Sequence, residues 1–113
     1  MKWIKNNKAL KGICGIYIIS NIVTRISYVG SSFDIAKRLD SHLLNLQYRW
    51  WCENSELQRD FAKYGQDSFE VNILETVLDD NLLNEREKYW IEQTPRTYNS
   101  KKFYGRKPKR EKR

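Results

Sequence analysis

Glu87 falls four residues after Leu83 and three before Trp90, so a helix through this stretch carries a carboxylate on its apolar stripe. Burying an unpaired carboxylate is costly, and a glutamate so placed is a metal ligand, a salt-bridge partner or a group at the edge of a cleft. Glu85 and Glu92 fall on other faces and read as solvated charges. Arg38 and His42 form a second constellation, because a spacing of four puts both side chains on one helix face. Arginine offers a rigid fork of donors suited to a phosphate, and a neutral histidine can accept or relay a proton near neutral pH. An ordinary solvent-facing helix accommodates such a pair equally well. Tyr17 and Tyr28 stand one on each of two β-branched runs, flanked by Gly15 and Gly30. A strand tyrosine is commonly core, whereas a glycine inside a strand often marks a close approach of backbone or ligand.

A small set of elements must position these groups. Residues 14–19 and 26–30 are rich in β-branched and aromatic side chains and predict two strands, joined as a hairpin through residues 21–25. Asp34 is placed to cap a helix whose stripe is Ile35, Leu39, Leu43 and Leu46, ending near Gln47. A second helix is expected over 56–64, capped by Asn54 or Ser55, with Leu57, Phe61 and Tyr64 on one face and Gly65 as its stop. Alternation through Phe69, Val71 and Ile73 predicts a third strand over 68–77, with Glu70, Asn72 and Leu74 on its far face. A third helix is expected to open at Asp79-Asp80-Asn81 and run through Ile91 to the break at Thr94-Pro95. A short extended piece over 97–99 is placed to close the sheet. The order ββααβα predicts an α+β fold, a small antiparallel β-sheet flanked by helices.

Composition bounds the rest. A chain of 113 residues, 40% apolar and 13% aromatic, can bury one modest core and has no room for a second folded domain. Residues 1–33 carry five Lys/Arg and no acid, residues 34–100 carry eight basic and thirteen acidic side chains, and residues 101–113 carry eight basic against Glu111 alone. The last segment is therefore net +7, equal to the formal charge of the whole chain. It divides the chain into a loosely ordered basic lead-in (1–11), a folded domain (12–100) and a basic tail (101–113). The tail either attracts polyanions, chiefly nucleic acid, or merely solubilises. Trp50-Trp51, between two helices, either stacks on exposed bases or caps the core. Lysines at 2, 5, 8 and 11 interrupt any leader-like pattern, and the apolar run 13–19 is too short to span a bilayer. Cys14 and Cys52 lack a CxxC partner, and with His42 the only histidine a structural zinc site is not expected. A reducing, cytoplasmic compartment is the expectation.

In sequence order these residues resemble the catalytic domain of the GIY-YIG nucleases, most of all those of phage intron-homing endonucleases. The two signature triplets stand as Gly15-Ile16-Tyr17 and Tyr28-Val29-Gly30, with ten residues between the tyrosines and Val29 in place of isoleucine. The family arginine matches Arg38 and a histidine one turn on matches His42. The metal-binding glutamate matches Glu87, within Glu85-Arg86-Glu87-Lys88-Tyr89-Trp90-Ile91, and the late asparagine matches Asn99. The resemblance runs from about Gly12 to Asn99.

The resemblance implies a metal-dependent endonuclease that hydrolyses DNA phosphodiester bonds in a prokaryotic or phage-infected cell. It implies that Glu87 holds one divalent cation, Mg²⁺ (or Mn²⁺), which prefers oxygen ligands and keeps several waters. Arg38 would neutralise charge on the non-bridging phosphate oxygens. Tyr17 would act as general base, which requires a phenol pKa below the usual value of about 10. Tyr28 would orient the water or the phosphate, and His42 would relay the proton from Tyr17. Gly30, Lys37 and Asn99 are the expected substrate-binding positions, Asn99 as a brace rather than a reactant. Homing members commonly carry a separate DNA-reading region, so a DNA-targeting domain or protein is an expected partner. Two alternatives are a restriction or repair nuclease on the same fold and a non-catalytic basic nucleic-acid-binding module. The second would explain the basic ends but not Tyr17, Tyr28, Arg38 and Glu87 together.

Overall fold

The two glycine-flanked runs do pair. In a computed structural model, which describes residues 1–48 and 54–99, β1 (Gly15–Asn21) is antiparallel to β2 (Ser27–Ser32) on one side and to β3 (Phe69–Thr76) on the other. The sheet order β2-β1-β3 leaves β2 at an edge. Asn21 builds the hairpin turn, its buried side chain accepting from the backbone N–H groups of Val23 and Thr24 at 3.0 and 3.3 Å. An asparagine that bonds its own backbone two residues on stabilises a reversal without any help from the sheet.

Alternation along β1 sends Tyr17 and Ile19 to one face and Ile16 and Ile18 to the other. The first face packs against α1 (Ile35–Gln47) and α2 (Ser55–Tyr64) through Leu39, Leu43, Leu57 and Phe61. The second packs against α3 (Leu83–Gln93) through Leu83 and Ile91. The sheet is thus the middle layer of a helix–sheet–helix sandwich within the expected α+β class. On the far face of β3, Glu70 and Asn72 are exposed while Leu74 joins the cluster beneath α3.

Helix starts follow local capping chemistry. The Asp34 side chain accepts from Lys37 N–H at 3.2 Å and opens α1. Asn54 rather than Ser55 caps α2, accepting from Leu57 N–H at 2.9 Å, and Gly65 ends it. The third helix begins later than expected. Asp79 bonds the N–H of Asn81 at 3.0 Å and sets a 3₁₀ turn over Asp80–Leu82, so regular α-helix starts only at Leu83.

One further expectation is corrected. Residues 1–11 are not loosely ordered. Trp3 is only 2% exposed, meets Phe61 and Phe69 edge-on with ring centroids 5.9 and 6.4 Å away, and donates from Nε1 to the Leu39 carbonyl at 3.2 Å. Leu10 is buried in the same cluster, and the backbone of Lys2 pairs with that of Glu70 in β3 as an isolated antiparallel β-bridge. These two apolar anchors and the pairing of Met1 with Val71 of β3 seat the segment while its lysines stay in water. Residues 97–99 close the sheet as expected, as a short edge contact: Ser27 N–H donates to the Arg96 carbonyl at 3.0 Å and Tyr98 N–H to the Ser27 carbonyl at 2.7 Å. A single parallel bridge joins Ser27 to Thr97, and the Asn99 side chain takes up the next backbone groups of the edge. Covering an edge strand in this way hides the N–H and C=O groups that would otherwise recruit another chain.

Trp50-Trp51, Cys52 and the basic segment 101–113 lie outside the described residues. Among the described residues no helix is long and apolar enough to cross a membrane.

Candidate active site

Tyr17 and Tyr28 come from neighbouring strands and project from the sheet face that α1 covers. Tyr17 pairs in register with Gly30, and a Cβ built on Gly30 would stand 2.4 Å from both Cζ and the hydroxyl oxygen of Tyr17. The phenol tip therefore occupies the place that any larger residue at position 30 would fill, and lies across the edge strand. His42 meets both rings from α1, edge-on, with centroids 5.6 Å from Tyr28 and 6.4 Å from Tyr17. It is 3% exposed and shares the buried stripe of Ile35, Leu39, Leu43 and Leu46. Arg38, one turn earlier, is half-buried, and Lys37 is exposed. The structure thus brings Tyr17, Tyr28 and His42 together, with Arg38 on the adjoining turn.

Glu87 stands on α3, the helix on the other face of the sheet. It is half-buried, and Ser31 Oγ donates to its Oε1 at 2.5 Å. Ser31 directly follows Gly30. Two consecutive residues of the edge strand therefore meet Tyr17 on one face and Glu87 on the other, and the constellation straddles β2 rather than lining one face of the sheet. A single carboxylate oriented by a hydroxyl suits a hard cation that keeps most of its waters. Among the described residues no group of three or more His, Cys, Asp or Glu side chains converges.

The Asn99 carboxamide is committed to the middle of the second triplet. Its Oδ1 accepts from Val29 N–H at 2.8 Å and its Nδ2 donates to the Val29 carbonyl at 2.9 Å. Thr97 Oγ1 donates to the same Oδ1 at 2.8 Å. The preceding residue secures the strap. Tyr98 donates its hydroxyl to Asp60 at 2.8 Å and accepts from Asn21 Nδ2 at 3.3 Å. Burial pushes the Tyr98 phenol up to about 12, so it stays a neutral donor.

Sequence reasoning missed two supports. Ser31 gave no signal, since its partner lies 56 residues away. Glu75 was unremarked, yet its Oε1 accepts from Trp90 Nε1 at 2.9 Å and from Arg86 Nε at 2.8 Å. These two bonds, the Trp90 bond foremost, hold the Glu75 carboxyl below the usual carboxylate range and tie α3 to β3. The spacing of four between Arg86 and Trp90 was the one available hint. Gly15 is fixed by the same strand, because a Cβ there would lie 2.1 Å from the Glu75 carbonyl oxygen, beside the irregular register at Ile16/Tyr17.

Gly30→Ala tests the packing. The added methyl must displace the Tyr17 ring, which is wedged against His42 and 1% exposed, so the hydroxyl shifts. If the Tyr17 phenol serves the phosphodiester cleavage that the resemblance implies, a displacement near 1 Å is expected to slow it by roughly 100-fold, measured as the single-turnover rate beside a far-UV spectrum that stays native. A wild-type rate would show that the position of the phenol is immaterial.

A model of the GIY-YIG catalytic domain family matches residues 13–99. The chain is 41% identical over 81 residues to Intron-associated endonuclease 1 of Enterobacteria phage T4, covering 70% of this chain and 32% of that protein. It is 40% identical over 73 residues to Probable intron-encoded endonuclease 1 of Neurospora crassa, covering 64% of this chain and 22% of that protein. Among solved structures, the catalytic domain of homing endonuclease I-TevI is similar, with a TM-score of 0.66 at 36% identity over 72% of this chain and 87% of that one. The chain thus spans less than a third of the length of either curated relative and most of the solved domain.

Proposed function

The chain belongs to the GIY-YIG catalytic domain family, and we propose that it is a divalent-metal-dependent endonuclease domain hydrolysing DNA phosphodiester bonds. The observation that supports this best is the pair Gly30-Ser31, where a phenol and a carboxylate approach one edge strand from opposite faces. A phosphodiester laid across that edge has an acid–base group on one side and an anionic ligand on the other.

Tyr17 takes the proton of the attacking water at its phenol oxygen, and Tyr28 orients that water or the phosphate. His42, edge-on to both rings, receives the proton from Tyr17. Arg38 neutralises charge that builds on the non-bridging oxygens. Lys37, exposed in the first turn of α1, contacts the substrate backbone, while Gly30 and Asn99 keep the edge strand in shape for it. Glu87 would hold the cation, Mg²⁺ or Mn²⁺, which when bound supplies Lewis-acid polarisation of the phosphate and stabilises the leaving 3′ oxygen.

The net +7 of residues 101–113 adds long-range attraction for DNA. The curated relatives extend far beyond the matched part, and target choice here rests with a further DNA-reading region or a partner protein. The working compartment is the reducing cytoplasm of a prokaryotic or phage-infected cell.

Supercoiled plasmid incubated with and without Mg²⁺ tests the proposal. Nicked or linear product is expected only with the ion. Retarded but uncut plasmid in both lanes would replace the enzyme with a binding module, and sequencing the cut ends separates a site-selective nuclease from a promiscuous one.

A further inference from the structure

We infer that Ser31 is a positioning residue for Glu87, its hydroxyl fixing the carboxylate in the orientation in which it takes the cation. The inference rests on the nuclease reading above. An O–H···O⁻ bond of 2.5 Å belongs to the short, charge-assisted class, about twice as strong as a neutral one. It joins two elements that are set independently. The backbone of Ser31 is held by its pairing with Ile16, and alternation places its side chain on the same face as Val29, which packs with Leu83 and Ile91 of α3. The glutamate, in contrast, has a flexible stem and is only half-buried. A hydroxyl anchored in the sheet removes that freedom at the end of the side chain where it matters.

The bond is not needed to dock the helix. Leu83 and Ile91 already bury α3 against the sheet, and Trp90 and Arg86 clamp it to Glu75. What the Ser31 bond adds is orientation of one carboxylate. Where one carboxylate is the protein's anionic ligand, with the rest of the shell drawn from waters and phosphate, its orientation sets the position of the ion. Outer-shell partners of metal ligands typically carry about 10–100-fold in metal affinity or activity.

Ser31→Ala, Ser31→Thr and Glu87→Gln in the full chain provide the test. Mn²⁺ affinity is measured by EPR titration on DNA cut beforehand to completion, alongside the melting temperature and the Mg²⁺ concentration for half-maximal cleavage. Ser31→Ala is expected to melt within about 4 °C of wild type and to keep its DNA affinity. It should weaken Mn²⁺ binding by about 10–100-fold and raise the Mg²⁺ requirement in parallel. Ser31→Thr, which keeps the hydroxyl, should recover most of both. Wild-type Mn²⁺ affinity in Ser31→Ala, or a lowered melting temperature with unchanged ion affinity, overturns the inference and leaves Ser31 as a strap. Wild-type Mn²⁺ affinity in Glu87→Gln instead removes the metal site itself, and the role of Ser31 with it.

Discussion

Glu87→Gln is expected to lower cleavage by roughly 1,000-fold or more while leaving the protein folded. The substitution removes a charge and almost no volume. The amide oxygen can still accept the Ser31 hydroxyl, and α3 stays docked through Leu83, Ile91 and the Glu75 clamp. A neutral amide is a poor ligand for a hard divalent ion, so the loss falls on the chemistry. Plasmid cleavage in Mg²⁺ measures the rate, and thermal melting monitors the fold. Unchanged cleavage would remove Glu87 from the mechanism. A variant that fails to fold would return Glu87 to the structural role that its place on an apolar stripe also allows.

The parts of this fold that could be read in the sequence are those whose cause is local. Asp34 announces α1 because a side-chain acceptor and a core-facing stripe coincide, and Asn54 with Gly65 brackets α2 in the same way. The hairpin follows from two β-branched runs joined through Asn21. What stayed hidden depends on partners distant in sequence. Trp3 and Leu10 lie among lysines with no helical or strand period, so nothing local shows that both are buried. The closure of the β2 edge uses an asparagine side chain in place of a ladder, an exchange that strand propensity does not register. The late start of α3 shows a local signal overtaking a broader one, since the Asp79 turn captures residues that the apolar pattern assigns to the helix.

The site divides along the same line. Tyr17, Tyr28, Arg38, His42, Glu87 and Asn99 were singled out by type, spacing and family resemblance, but the arrangement of Tyr17, Tyr28, His42, Glu87 and Asn99 around one edge strand was not. The alternation of β2 explains it. Tyr28 and Gly30 face α1 while Val29 and Ser31 face α3, so the second triplet and the serine after it address both layers. His42 had an ordinary explanation as a surface neighbour of Arg38, and its burial between two phenols rules that out.

On the proposed roles, in which both groups act chiefly in the transition state, Tyr17→Phe and Arg38→Ala are each expected to slow cleavage by about 100-fold or more with DNA affinity nearly unchanged. Losing the Tyr17 oxygen leaves the ring in its slot over Gly30 and against His42, so the core should hold. Arg38 is half-buried, so its truncation is expected to remove a charge without opening the interior. Tyr28→Phe should follow Tyr17→Phe less severely, because orienting a water is a smaller task than accepting its proton. Single-turnover rates at saturating DNA, beside binding isotherms in Ca²⁺, separate the two contributions. Affinity falling in step with rate would make these residues binders rather than catalysts. The double variant carries the sharper test. If the phenol and the guanidinium serve one transition state, their losses overlap, and the combined variant should lose less than the product of the two single effects. A fully multiplicative loss would place them in independent steps, and the shared phosphate across the β2 edge would have to be abandoned.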